Sequence, residues 1–256
     1  MRPRRRHVYF DEAYLPMLRS AGLGDYESVM SSRAGETLTK PGLGARRRTR
    51  LDLTTPDGAA LTIYLKRYAR CRLARTEWNA VLGVRDAGVP TMAPVATGSG
   101  PAGGFVMVTC VPGDALERCM DGLLARRGDD RRAMVGLATG LGRLIGELHR
   151  AGMAHRDFYT SHVFCHELEG GFDLYLIDLA RVFRPRWRQW RWWAKDLAQL
   201  KSSLPAAWSE AYWPTILAAY ERTCLRRLPQ WAAAVIESRV RALRRERTKA
   251  SSARKG

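Results

Sequence analysis

The chain has 256 residues, of which 46% are hydrophobic, and a formal net charge of +18. That length allows one large domain or two smaller ones with a proper core, and no apolar run approaches the ~20 residues that cross a bilayer, which excludes a helical membrane-spanning protein. The first residues, MRPRRRHVYF, carry charge with no apolar segment behind it, so they do not read as a secretory leader. The five cysteines (71, 110, 119, 165 and 224) are odd in number and scattered, with no CxxC spacing. That pattern argues against a disulfide framework and leads to the expectation of a cytoplasmic protein with reduced thiols.

In chain order, Arg2, Arg4, Arg5 and Arg6 read as a solvated tail and Phe10–Leu23 as a short amphipathic helix. Residues 26–67 read as three strands. Among them lie a glycine-containing stretch, Lys40-Pro41-Gly42-Leu43-Gly44-Ala45, and a turn at Pro56-Asp57-Gly58, where proline presets φ and glycine permits positive φ. The run Ala60–Tyr68 is rich in β-formers and carries Lys66 near its end. A helix comes next over Leu73–Asp86, with Ala74, Trp78, Val81 and Leu82 at helical spacing and Glu77 as its first acid. Val89–Gly98 reads as a connection and a strand. Gly104–Val111 reads as a buried strand from its continuous apolar run, ended by Pro112-Gly113. Residues 133–150 form a helix with Met134, Leu137, Ala138, Leu141, Ile145 and Leu148 on one face, and Gly152 stands where a C-terminal cap belongs.

The densest chemical signal is Met153–Phe183. It opens with His155-Arg156-Asp157 and continues as an apolar run Val163–Cys165, a turn at Gly170-Gly171, and a second apolar run Leu174–Ile177 that delivers Asp178. A hairpin of this kind brings Asp157 and Asp178 to the same end of a small sheet. Two carboxylates held there suit a hydroxyl nucleophile and a nucleotide: one accepts the proton and the other holds Mg²⁺ against phosphates. His162, Cys165 and His166 suggest zinc, but no fourth ligand lies at a fitting spacing, and strand alternation splits them between faces. Beyond Asp178 comes an interleaved basic and aromatic run: Arg186, Trp187, Arg188, Trp190, Arg191, Trp192 and Trp193. It reads first as packing beneath the loop, and second as a membrane-interface patch with tryptophan at headgroup depth. A helix starts at Lys195 with Asp196 in its first turn, further helices cover about 207–226 and 229–247, and the chain frays into a basic tail.

The stretches HRDFYTSHVF, LYLIDLARV and RWRQWRWWAKDLAQL resemble the lipopolysaccharide kinase (Kdo/WaaP) family, a branch of the protein-kinase-like fold, over residues 26–225. The resemblance implies an α+β, two-lobed fold with a small antiparallel-sheet N-lobe and a mainly helical C-lobe. Its expected divisions are an extension (1–25), a nucleotide-binding N-lobe (26–111), a catalytic C-lobe (112–238) and a basic tail (239–256). It implies an ATP- and Mg²⁺-dependent phosphotransferase that acts on an acidic sugar or glycolipid acceptor of lipopolysaccharide-core type. By the same resemblance Asp157 is the catalytic base, with Arg156 beside it to keep it ionised, and Asp178 binds the metal. Lys66 grips nucleotide phosphates and is held by Glu77, His162 faces the nucleotide or metal, and Asp196 supports the catalytic-loop backbone.

Three departures bear on the substrate and activity. The Lys40–Ala45 stretch does not have the GxGxxG register of a phosphate-covering loop. His162 stands where protein kinases have a metal-binding asparagine, and imidazole suits Mg²⁺ less well than oxygen. Residues 179–195 leave little room for a peptide-docking segment, which favours a small or lipid-linked acceptor over a protein. An atypical protein kinase, and a non-catalytic pseudokinase or basic module binding membrane or nucleic acid, stay open as alternatives. Only six of the 43 basic residues are lysine, a skew that a GC-rich genome produces as readily as a binding surface. If the charge is functional, an acidic lipid or phosphosugar fits a kinase better than nucleic acid does, which places the protein in the cytoplasm at the inner face of the cytoplasmic membrane.

Overall fold

The computed structural model describes residues 6–38, 46–55 and 57–252. The chain divides into two compact units, Met1–Arg85 with Thr91–Val111 and Asp86–Pro90 with Pro112–Gly256. The glycine-containing stretch at 40–45, the arginines at 2, 4 and 5, and Pro56 lie outside the described residues.

The first unit is built on an antiparallel sheet. Its strands are β1 (His7–Phe10), β2 (Glu36–Leu38), β3 (Arg46–Thr54), β4 (Ala60–Tyr68), β5 (Pro94–Gly100) and β6 (Gly103–Thr109), in the spatial order β1-β5-β6-β4-β3-β2. All seven residues of β6 are buried, as a central strand covered on both faces requires. Alternation along β4 sorts its side chains. Ile63 and Leu65 enter a core with Met17, Leu18, Tyr26, Val29 and Phe105, while Lys66 points to the opposite face. That face is covered by α3 (Cys71–Asp86), which buries Ala74, Glu77, Trp78 and Val81.

The start of this unit differs from the sequence expectation. His7–Phe10 is a strand paired to β5, and only α1 (Leu15–Ser20) is helical in the segment read as a helix over Phe10–Leu23. The Asp11 side chain accepts from the Ala13 amide at 3.0 Å, forming a turn, and Pro16 sits in the first turn of α1, where its missing N–H is tolerated. Residues 26–31 form a helix, α2 (Tyr26–Ser31), where a strand was expected to begin. Its cause is a capping box: Asp25 accepts from the Ser28 amide at 2.8 Å while the Asp25 amide donates to Ser28 Oγ at 3.2 Å.

The second unit contains α4 (Leu116–Arg127), α5 (Arg131–Arg150), α6 (Gln189–Ser203), α7 (Ala206–Cys224) and α8 (Gln230–Ser252), with a three-stranded sheet of β7 (Asp114–Ala115), β8 (Val163–Leu168) and β9 (Gly171–Leu176). The helix α4 was not anticipated, although Leu116, Met120 and Leu123 stand at i, i+4 and i+7 and are its buried residues. Helices α5 and α7 cross closely. A Cβ on Gly142 would meet the Ile216 carbonyl oxygen at 2.3 Å, and one on Gly146 would meet Thr223 Cβ at 2.8 Å. The helix α6 begins at Gln189, so Asp196 lies in its interior and not in its first turn. The helix α8 continues through most of the stretch read as a basic tail. Arg244 and Arg247 there donate to the Lys201 and Ser202 carbonyls at 3.4 and 3.1 Å, in the last turn of α6 where intrahelical partners run out.

Candidate active site

Lys66 and Glu77 meet in the first unit. Lys66 Nζ donates to Glu77 Oε1, with Lys66 6% exposed and Glu77 fully buried. A lysine buried on a central strand is tolerated only when its charge is matched, and α3 supplies that match from its second turn.

In the second unit, α5 delivers the chain into the loop. Gly152 takes φ +73° and its N–H donates to the His149 carbonyl at 2.9 Å, which closes the helix. Ala154 and Phe183 then exchange two backbone hydrogen bonds of 2.9 and 3.1 Å, tying the entry of the loop to the chain beyond Asp178. From here a row of acceptors on one face of α6 holds the loop backbone. Asp196 accepts from the His155 and Arg156 amides at 2.7 and 2.8 Å, Gln199 from the Phe158 amide at 3.1 Å, and Ser203 Oγ from the Thr160 amide at 3.0 Å. Their spacing of i, i+3 and i+7 is one helical stripe. Lys195, on the next position round the helix, donates to the Arg156 carbonyl at 2.5 Å. These bonds hold Arg156 at φ +72°, a conformation that costs a non-glycine residue on the order of 1–3 kcal/mol.

Two buried histidines brace the loop. His155 Nε2 donates to the Ile177 carbonyl at 3.0 Å, next to Asp178. His149 Nε2 donates to Asp196 at 3.3 Å while its Nδ1 takes the Tyr220 hydroxyl at 3.1 Å, and its ring stacks on Trp193. Burial pushes both imidazoles below their ordinary pKa, against the pull of Asp196, so both are neutral donors. The Trp193 indole donates to the Met153 carbonyl at 3.0 Å, and Trp190 and Trp192 pack on Trp193 and Phe183. Three of the four tryptophans in the basic-aromatic run are therefore engaged in packing.

The hairpin β8–β9 pairs Val163 with Leu176, and the Ile177 amide donates to the His162 carbonyl at 2.9 Å. This register puts His162 beside Asp178: its Nε2 lies 3.9 Å from Asp178 Oδ2. His162 Nδ1 donates to the Asp157 carbonyl at 2.8 Å. That bond fixes the tautomer, so Nε2 carries the lone pair when the ring is neutral and donates only as imidazolium. Asp178 takes φ +55° at the head of a single helical turn, Leu179–Arg181. Asp157, His162 and Asp178 thus gather at one end of the hairpin, each with a partly exposed side chain.

Arg156 does not pair with Asp157. Its guanidinium lies 5.4 Å from the centres of both the Phe183 and Trp192 rings, which themselves pack edge-to-face, so one cation–π contact is made to each ring of the pair. The cation on Asp157 is Arg181, whose Nη1 reaches Oδ1 at 2.9 Å and Oδ2 at 2.7 Å. Sequence proximity suggested Arg156, but its positive φ turns the side chain away. Arg181 was missed; its signal was its place three residues after Asp178 on the same turn. Among the described residues no three His, Cys, Asp or Glu side chains are grouped to hold a metal, so a zinc site at His162, Cys165 and His166 has no support. One exposed carboxylate such as Asp178 does fit Mg²⁺, which keeps most of its waters and takes its other ligands from phosphates.

Residues 63–220 match the lipopolysaccharide kinase (Kdo/WaaP) family. The chain is 33% identical over 136 residues to the lipopolysaccharide core heptose(I) kinase WaaP of Pseudomonas aeruginosa, an alignment covering 50% of this chain and 51% of that protein. The chain therefore spans about half the length of the curated relative it matches. Among solved structures, WaaP in complex with acyl carrier protein has a TM-score of 0.69 at 26% identity, covering 93% of this chain and 99% of that one. An aminoglycoside-3'-phosphotransferase of type VIII has a TM-score of 0.54 at 15% identity over 91% of this chain and 99% of that one. An aminoglycoside phosphotransferase from Streptomyces rimosus has 0.51 at 14% identity over 91% and 97%. The shared fold is the protein-kinase-like one, with an antiparallel sheet in one unit and helices in the other. With more than half of its length matched, the chain belongs to the lipopolysaccharide kinase (Kdo/WaaP) family.

Proposed function

We propose that the protein is an ATP-dependent kinase that transfers the γ-phosphoryl group to a sugar hydroxyl of a lipopolysaccharide-core-like or other glycolipid acceptor. The observation that carries this reading is Asp157 joined through His162 to the Asp178 end of the β8–β9 hairpin, on a loop whose amides are held by Asp196, Gln199 and Ser203. Phosphoryl transfer needs little covalent chemistry from the protein and much positioning, and a braced carboxylate is what that demands. Asp157 orients the acceptor hydroxyl and takes its proton. Asp178 is the residue to hold Mg²⁺, with His162 Nε2 as its neighbour. Bound there, the metal supplies charge neutralisation at the phosphates. Lys66, oriented by Glu77, is the cation for the nucleotide phosphates. Arg156, packed against the Phe183–Trp192 pair, positions the loop and is not itself a base or phosphate ligand. The test is transfer of label from γ-labelled ATP to a panel of acidic saccharides and glycolipids. No transfer to any of them, with intact nucleotide binding, would favour a pseudokinase.

The path of the chain beyond Asp178 disfavours the protein-kinase alternative. It makes one helical turn to Arg181, bridges back to Ala154 at Phe183 and enters α6 at Gln189, leaving no peptide platform.

Contact with the inner face of the cytoplasmic membrane is part of the same proposal. Trp187 is 82% exposed, unlike its packed neighbours, and exposed Arg184, Arg186, Arg188 and Arg191 surround it. Such a loop suits anionic headgroups. No described helix is long and apolar enough to cross a membrane. The solved WaaP structure contains acyl carrier protein, and co-purification tests the same partner here.

A further inference from the structure

Arg181 covers one edge of the proposed base: its Nη1 bridges Oδ1 and Oδ2 of Asp157, and a hydroxyl approaching that edge meets the guanidinium. Arg181 is not locked in place, since 53% of its side chain is exposed. A second cation lies on the residue before Asp157: Lys195 Nζ donates to the Arg156 carbonyl at 2.5 Å, and burial is the main cause that lowers its pKa. Asp196 contacts two amides and the His149 ring, and its contacts do not include Arg181. Asp157 is thus the carboxylate paired with Arg181, and drawing it toward a neutral hydroxyl opens that pair.

We infer that Arg181 is a specificity-determining residue that reads an anionic substituent of the acceptor, a carboxylate or phosphate near the hydroxyl that is phosphorylated. The substituent replaces Asp157 as the partner of Arg181. The edge of Asp157 that Arg181 covered is then open to the hydroxyl. In the transfer step, the acceptor oxygen bonds to the γ-phosphorus, the bond from that phosphorus to the β–γ bridging oxygen breaks, ADP leaves and the hydroxyl proton passes to Asp157. A neutral acceptor offers Arg181 no replacement and must compete with it. This inference rests on the kinase reading and deepens it, since it makes acidity of the acceptor a requirement of the site.

The experiment uses core oligosaccharide released from lipopolysaccharide, the same material after enzymatic dephosphorylation, and the same after reduction of its carboxylates to alcohols. Steady-state transfer from labelled ATP is measured for the wild-type protein, Arg181→Gln and Arg181→Lys. With wild-type protein, removing the anion that is read raises the acceptor KM roughly 10- to 100-fold, as expected for loss of a charge-assisted hydrogen bond, and leaves the KM for ATP unchanged. The arm that shows this rise tells whether the anion is a phosphate or a carboxylate. Arg181→Gln loses the discrimination, and on the altered acceptor its kcat/KM equals or exceeds that of wild type because Asp157 is uncovered. Arg181→Lys keeps part of the discrimination. A merely structural role for Arg181 would lower activity on all three acceptors alike and would overturn the inference. So would an unchanged preference in Arg181→Gln, or an effect on the KM for ATP alone, which would assign Arg181 to the nucleotide. Transfer by wild type to none of the acceptors would overturn the kinase reading itself, and the inference with it.

Discussion

Lys66 with Glu77 and Arg181 with Asp157 are both cation–carboxylate pairs, yet their side chains are 7% and 0% exposed in the first and 53% and 22% exposed in the second. The difference decides what each can do. A pair buried under a helix has no water to take over when it opens, so each ion depends on the other and the geometry is permanent. A half-exposed pair is screened and contributes little to stability, so it can exchange partners during a reaction cycle. The first unit uses its pair to hold one lysine still. The second places its pair on the carboxylate proposed to take the acceptor proton.

The sharpest way to break the contrast is at Asp157. Asp157→Asn keeps the size and removes the base, and turnover should fall on the order of 10²- to 10⁴-fold with ATP affinity retained. Turnover and nucleotide binding are measured in one preparation; loss of both together would give Asp157 a structural role. Next is Glu77→Ala, which leaves Lys66 buried without its carboxylate. It should lower the unfolding free energy by about 3–5 kcal/mol, read by urea denaturation, and a change below about 1 kcal/mol would put this pair in the same class as the exposed one.

Acid should separate the two regions further. His149 and His155 are held below their ordinary value of 6.5 by burial. The unfolded chain therefore binds protons that the folded loop does not. The stabilisation they contribute is complete above pH 6.5 and is lost as pH falls below it, until the depressed folded values are reached. The slope should approach about 1.4 kcal/mol per pH unit for each histidine. Denaturation from pH 7.5 down to 5.5 checks it, with hydrogen exchange at residues 153–160 expected to rise first. The smallest effect is on the exposed pair: Arg181→Gln should change stability by no more than about 1 kcal/mol, so any large change in its kinetics is chemical in origin.

Much of the fold was legible because it is written in short-range periodicity. The α5 stripe, the apolar run of β6 and the paired runs of β8 and β9 each announce their element through neighbours two to four residues apart. The helix α4 was equally periodic and simply passed over, and α2 was hidden because six residues are too few for a period, its one local mark being the Asp25–Ser28 cap. The strand β1 carried no usable signal: a four-residue edge strand exists only because β5 accepts it across about ninety residues of chain.

For the site, the residues at issue stood in order in the sequence: Lys66 on a strand, Glu77 on the helix after it, Asp157 at a helix exit and Asp178 beyond a hairpin. A chain in hand is enough for that, since side-chain type and local spacing are properties of neighbours. Which cation meets which carboxylate is another matter. Arg156 is adjacent to Asp157 yet lies against two aromatic rings, while Arg181 arrives from 24 residues away. A single positive φ turned the nearer arginine away, and the hairpin register brought the farther one in. The α6 acceptors are a similar case: Asp196, Gln199 and Ser203 share a helical stripe readable from sequence, but that the stripe faces the loop amides comes only from how α6 packs. Sequence determined the parts and their local form; the tertiary structure decided their partners, because pairing depends on direction in space and direction is set by backbone angles and packing far from the residue itself.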